Sequence, residues 1–148
     1  PAYLSDAGAS STLLIAAVRV VNDRLSVMPT IDPAKLASTK VTPADGSTRP
    51  LTADEAADLA AGLDPAWHVD GDHVSREFRF PTFAAAFGLA TRIAMLAESQ
   101  NHHPTMEIGW GRLIVTWSTD AIAALSENDF AMAAKVDRLV ARGLNLKD

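Results

Sequence analysis

Apolar and polar positions alternate along this chain in three distinct rhythms, and each rhythm marks a segment. Leu13, Ala16, Ala17, Val20 and Val21 recur at helical spacing, so residues 12–27 read as a short amphipathic helix. Proline, glycine, serine and aspartate then cluster in Met28-Pro-Thr-Ile-Asp-Pro33 and Val41-Thr-Pro-Ala-Asp-Gly-Ser-Thr-Arg-Pro50, a density that reads as a linker. Regular patterning returns at Leu51. Thr52 with Glu55 three residues on forms a capping box for a helix whose stripe includes Leu59 and Leu63, ending at Gly62 and Pro65. Period-two alternation follows: Trp67 to Asp70, a turn at Gly71, then His73 to Phe80, with Val74, Arg76, Phe78 and Phe80 on one face.

Pro81-Thr82 opens a central helix. Phe83, Phe87, Ala90, Ala94 and Ala97 recur on one side and Ala85, Leu89 and Met95 on another flank, so the helix is expected to have a second neighbour, such as another subunit. A second hairpin is expected beyond it, with a turn at Gly111-Arg112 pairing Trp110 with Leu113, Ile108 with Val115 and Met106 with Trp117. All six then share the core face. The last helix starts at Ser126, capped reciprocally with Asp129, carries Phe130, Ala133, Val136 and Val140, and stops at Gly143. The order helix, two strands, helix, two strands, helix predicts an α+β fold: a four-stranded antiparallel sheet with three helices on one face. Residues 1–50 are read as an extension and linker, and 51–148 as the folded domain.

Composition narrows the function classes. A chain of 148 residues is long enough to bury a core of its own, and without cysteine it has neither a disulfide framework nor a thiolate site. That suits a cytoplasmic protein. A net charge of −5 argues against electrostatic binding of nucleic acid or membrane surfaces. The apolar run Leu13–Val18 is too short to span a bilayer, and no basic segment precedes it as in a secretory leader.

Candidate chemistry concentrates in Glu98-Ser-Gln-Asn-His102-His103-Pro104. Adjacent histidines supply two groups that bind and release protons near neutral pH, which a reaction that adds one proton and removes another requires. Pro104 disfavours helical geometry at His103, placing the pair at a helix-to-strand junction. Glu98, four residues before His102, would reach it across one helical turn. Trp110, Trp117 and Met106 read as core, His68 and His73 as solvated, and Asp129 as a helix cap. Glu98 and His102 also resemble half a metal site, but no further histidine or cysteine follows at ligand spacing, so no metal is expected.

Glu98, three residues, His102-His103-Pro104, five residues, Trp110, nine residues, Asp120 and then Asp129 together resemble the signature of the pterin-4a-carbinolamine dehydratases. The likeness extends through Phe80-Pro-Thr-Phe83, Ala86-Phe-Gly88, Thr91-Arg92 and Ser126-Glu-Asn-Asp129. It implies the same fold, sheets joined edge to edge in dimers, and tetramers built through helices. It also implies a hydro-lyase that dehydrates 4a-hydroxytetrahydrobiopterin to the quinonoid dihydropterin during tetrahydrobiopterin recycling, a reaction that one acid and one base suffice for, with no cofactor. The alanine-rich composition hints at a bacterial source, in which an aromatic amino-acid hydroxylase would be the pathway partner. His102, His103 and Asp120 would be the catalytic positions; Glu98, Pro104, Thr119, Ala121 and Ile122 would line the pterin site with them. The family usually has a third histidine where this chain has Asp120, so reduced activity is expected. The resemblance leaves a second reading, a protein-binding module like the relatives that stabilise a transcription-factor dimer.

Overall fold

A computed structural model of the chain describes residues 31–143. The helix expected over residues 12–27 lies outside them. The compact unit begins at Ile31. In order it contains α1 (Pro33–Ser38), α2 (Ala53–Ala60), β1 (His68–Asp70), β2 (His73–Arg79), α3 (Phe83–Gln100), β3 (Thr105–Gly109), β4 (Arg112–Trp117), a 3-10 turn (Asp120–Ile122) and α4 (Glu127–Ala141). The four strands form one antiparallel sheet in the order β1-β2-β4-β3. The α+β architecture expected from the periodicities is present. No helix among the described residues is long and apolar enough to cross a membrane.

The sheet buries one face. Val74 and Phe78 of β2 lie beside Trp117 and Leu113 of β4, and these side chains with Val115 meet Leu89 and Ile93 of α3 and Phe130, Met132 and Val136 of α4 in one core. Period-two alternation sends Ser75, Glu77, Arg112, Ile114 and Thr116 to the other face.

The stretch read as a linker differs in structure. Asp32 caps α1 by accepting a hydrogen bond from Ala34 N at 2.9 Å, with Pro33 in the first turn, and Leu36, Ala37 and Val41 are buried in the core. Lys135 of α4 donates to the Ala37 and Thr39 carbonyls at 2.9 and 2.8 Å, a cation on the orphan acceptors of a helix C-terminus. Asn128 closes a bidentate pair with the Thr42 backbone. A helix of six residues is too short to show a period, so breaker density concealed it.

The second hairpin also departs from expectation. Ile108 pairs with Leu113 and Met106 with Val115, so the turn is Trp110-Gly111 rather than Gly111-Arg112. Gly111 decides it: its φ is +65°, its carbonyl accepts from Phe80 N at 2.8 Å, and a Cβ there would stand 2.6 Å from the Phe80 oxygen. Each strand's facing survives because the pairing moved by two residues in total. Trp110, expected in the core, instead sits in the turn with 77% of its surface exposed.

On α3 the buried stripe is Ala86, Leu89, Ala90, Ile93 and Ala97. Phe83 and Phe87, expected on that stripe with Ala90, Ala94 and Ala97, stack on each other at 6.0 Å between ring centroids and face outward. Small alanines let the helix sit close to the sheet, which leaves the bulkier flank outside.

Candidate active site

Helix α3 ends before the proline does its work. Asn101 takes the left-handed conformation (φ 52°, ψ 41°), donates its amide to the Ala97 and Glu98 carbonyls, and His102 N reaches back to Ala97 O at 3.2 Å. Asparagine tolerates this geometry better than other side chains with a Cβ. The chain therefore turns one residue ahead of His102, and the helical spacing from Glu98 no longer applies.

That turn separates the two imidazoles. His102 points inward, is 8% exposed and lies flat against Trp117, with centroids 5.7 Å apart and planes 10° from parallel. Its Nε2 is 2.7 Å from Asp129 Oδ1. His103 points outward, and its Nε2 is 2.9 Å from Glu98 Oε2. Glu98 thus partners His103, not His102 as its spacing suggested. Each ring is held at Nε2 by its own carboxylate, one buried and one exposed.

Asp129 is the hub of the buried part. At 0% exposure it accepts at Oδ2 from Ser126 N at 2.8 Å, the expected cap of α4, and from Thr119 Oγ1 at 2.8 Å. Thr119 Oγ1 is also 2.7 Å from Ser126 Oγ. A buried carboxylate is tolerable because every contact made to it comes from a donor. The capping explanation of Asp129 is correct but incomplete: the contact to His102 bridges 27 positions of sequence, which no local pattern can show.

Through Asp129 the fold draws the two sequence-distant halves of the candidate site together. Thr119 lies just beyond β4, bridged to Ala124, and its hydroxyl shares a carboxylate with His102, so Asp120 and His103 are each the chain neighbour of a residue bonded to that hub. Asp120 opens the 3-10 turn, is exposed, and takes a 3.4 Å hydrogen bond from Ser118 Oγ. Ala121 is exposed and Ile122 half-buried; the turn closes at Ala123 with φ +48°, and Thr119 N donates to Ala124 O at 3.0 Å. Pro104 is half-buried and leads directly into β3. Trp117 Nε1 is buried with no acceptor among the protein atoms. Two cavities of about 280 and 530 Å³ lie elsewhere, one at the α4 N-terminus beside Lys40 and Arg49, the other between α1 and α4. His68 and His73 stand on the first hairpin, as expected of solvated groups, with His73 against Asp72. Among the described residues no three His, Asp or Glu gather as metal ligands.

The chemical capacity of this arrangement is proton transfer. A carboxylate can only accept, so each histidine donates from Nε2, and Nδ1 is left as the nitrogen free to take a proton or, once charged, to give one.

Known proteins resemble this chain. The family model for pterin 4 alpha carbinolamine dehydratase matches residues 49–139. A Rubrobacter xylanophilus protein whose name places it among the pterin-4-alpha-carbinolamine dehydratases is 45% identical over 107 residues, covering 72% of this chain and 99% of the relative. One from Methylococcus capsulatus, named likewise, is 41% identical over 113 residues, covering 75% and 98%. A crystal structure from Brucella melitensis, titled a transcriptional coactivator/pterin dehydratase, superposes with a TM-score of 0.57 at 33% identity over 62% of this chain and 98% of that one. The match spans the capped α2, both hairpins, the histidine junction and α4 up to Leu139, and on that extent the chain belongs to the pterin 4 alpha carbinolamine dehydratase family.

Proposed function

We propose that this protein dehydrates a 4a-hydroxytetrahydropterin to the quinonoid dihydropterin, in tetrahydrobiopterin recycling. Hydroxide is a poor leaving group, and a positioned acid that protonates it lets the C4a–O bond break with loss of water. The neighbouring ring nitrogen surrenders its proton as the double bond forms, so a base completes the balance. The observation that carries this reading is the pair of carboxylate-held imidazoles, His102 on Asp129 and His103 on Glu98, at one helix end. His103 is the exposed member and the first to meet substrate; His102 offers its small exposed remainder. Pro104 and the backbone of Thr119, Asp120, Ala121 and Ile122 form the adjoining wall. Asp120 holds a pterin N–H or orients a histidine, and no metal, nucleotide or redox cofactor takes part. The proposal extends to a cytoplasmic homodimer or homotetramer supporting an aromatic amino-acid hydroxylase.

The test is the rate of 4a-carbinolamine breakdown with and without protein. His102→Ala and His103→Ala should each remove about 10²–10⁴-fold of the enhancement. Rates equal to the uncatalysed reaction for the unaltered protein would refute the enzyme reading. Asp120→His should raise turnover by restoring a group that exchanges protons near neutral pH; an unchanged or lower rate would dispose of Asp120 as a compromised third member.

One observation favours a second reading. Phe83 and Phe87 are 47% and 53% exposed on one side of α3 and Met95 is 70% exposed further round it, apolar surface of the kind that marks a protein interface. A binding module would use that surface with or without catalysis, as the coactivator title of the Brucella melitensis relative suggests. Protein whose rate matches the uncatalysed reaction but which self-associates through this surface would support it.

A further inference from the structure

We infer that Asp129 is a positioning residue that sets which nitrogen of His102 carries the proton, in addition to capping α4. This rests on the reading of His102 as a proton-transfer group. The two oxygens of Asp129 are divided between the tasks: Oδ2 accepts from Ser126 N and Thr119 Oγ1, while Oδ1 faces only His102 Nε2, at 2.7 Å. A helix cap needs the contact with Ser126 N and has no use for the one with His102.

The surroundings leave His102 little freedom to answer to anything else. Trp117 covers one face of its ring in a near-parallel stack, and the residue is 8% exposed. Rotation about the ring axis would bring a C–H edge against a buried carboxylate oxygen that then has no donor, a cost that is greatest for a charged group. The ring is therefore held in one orientation with Nε2–H toward Asp129, and Nδ1 is the working nitrogen. The other histidine differs in kind: Glu98 and His103 have side chains 82% and 56% exposed, a pair that water can replace. Asp129 thus fixes one of two adjacent imidazoles in a single protonation geometry, while its neighbour stays adaptable.

Asp129→Asn separates the two tasks. Asparagine keeps an oxygen to accept from Ser126 N and Thr119 Oγ1, but its amide then presents a donor to His102 Nε2. His102 must move its proton to Nδ1 to accept that bond, and the working nitrogen is lost. Nitrogen-15 NMR on full-length protein, at a pH high enough for the ring to be neutral, reads the tautomer directly. The expected signature is Nε2–H for His102 in the unaltered protein and Nδ1–H in Asp129→Asn, with kcat lowered by about 10² or more and KM changed far less. Thr52→Ala, a cap variant in α2 remote from the site, should reduce stability while leaving both the tautomer and kcat unchanged.

An Nδ1–H signature for His102 in the unaltered protein overturns the inference outright, and needs no variant to fold. A tautomer unchanged in Asp129→Asn does the same. Tautomer reversal with undiminished kcat overturns the role in the reaction. Should the unaltered protein fail to turn over 4a-carbinolamine, the proposed function falls, while the tautomer signature still decides whether Asp129 governs His102.

Discussion

Replacing Thr119 by valine removes a single hydroxyl from the centre of the site at almost constant volume. Thr119 is 1% exposed, and its one proton goes to Asp129 Oδ2, so the 2.7 Å contact with Ser126 must use the serine proton. The substitution deprives a buried carboxylate of one donor, worth about 1.5–3 kcal/mol, and leaves the Ser126 hydroxyl without its acceptor, worth about 1 kcal/mol more. A total of about 2.5–4 kcal/mol follows from these values, and the unchanged volume adds no cavity term. At about 4 °C per kcal/mol, the scaling for a domain near 100 residues, this corresponds to a melting point lower by roughly 10–16 °C. Urea unfolding followed by tryptophan fluorescence reads it well, because buried Trp117 stacks on the histidine that shares Asp129. The contact from His102 to Asp129 survives the change, so turnover should fall less than about tenfold, well below the loss expected for a proton-transfer group. A stability change within about 0.5 kcal/mol, the level of an exposed position, would refute the picture of Thr119 as a donor to a buried charge.

Leu36→Ala should cost about 2–3 kcal/mol, the low end of the buried-leucine range because a six-residue helix can resettle; a loss below about 0.5 kcal/mol in urea unfolding would mean that α1 does not belong to the core. Lys135→Met should add less in that background than alone, since both act through docking of α1, and additive losses in the double-mutant cycle would contradict this. Gly111→Ala forces a side chain to φ +65° and against the Phe80 carbonyl, and should destabilise by about 1–3 kcal/mol or shift the hairpin; unchanged cross-strand contacts and stability by NMR and urea melts would refute the turn assignment. The hydrogen bonds from Arg49, then from the Thr52 amide, hold the Glu55 carboxyl at about 2 instead of its ordinary 4.5. Its folded-state value is lowered, so its contribution is complete above 4.5 and is lost as pH falls toward 2, and the urea-midpoint difference between Glu55→Gln and the unaltered protein should shrink across that window.

Local rules carried much of this molecule. Capping residues, period-two alternation and glycine turns are contacts between near neighbours, so the α2 cap at Thr52, the first hairpin, the start of α4 at Ser126 and the α+β order were all legible in the chain. The histidine junction and its family signature were legible too. Tertiary structure decided what depends on partners far away in sequence. It docked Leu36 and Val41 beneath α4, chose which flank of an all-round apolar α3 would be covered, and moved Trp110 from the core to the surface because Gly111 must meet Phe80. It also gave Glu98 to His103 and Asp129 to His102. A left-handed Asn101 rotates the chain between the two imidazoles, and a buried carboxylate can be satisfied only by donors that three separate segments bring to it.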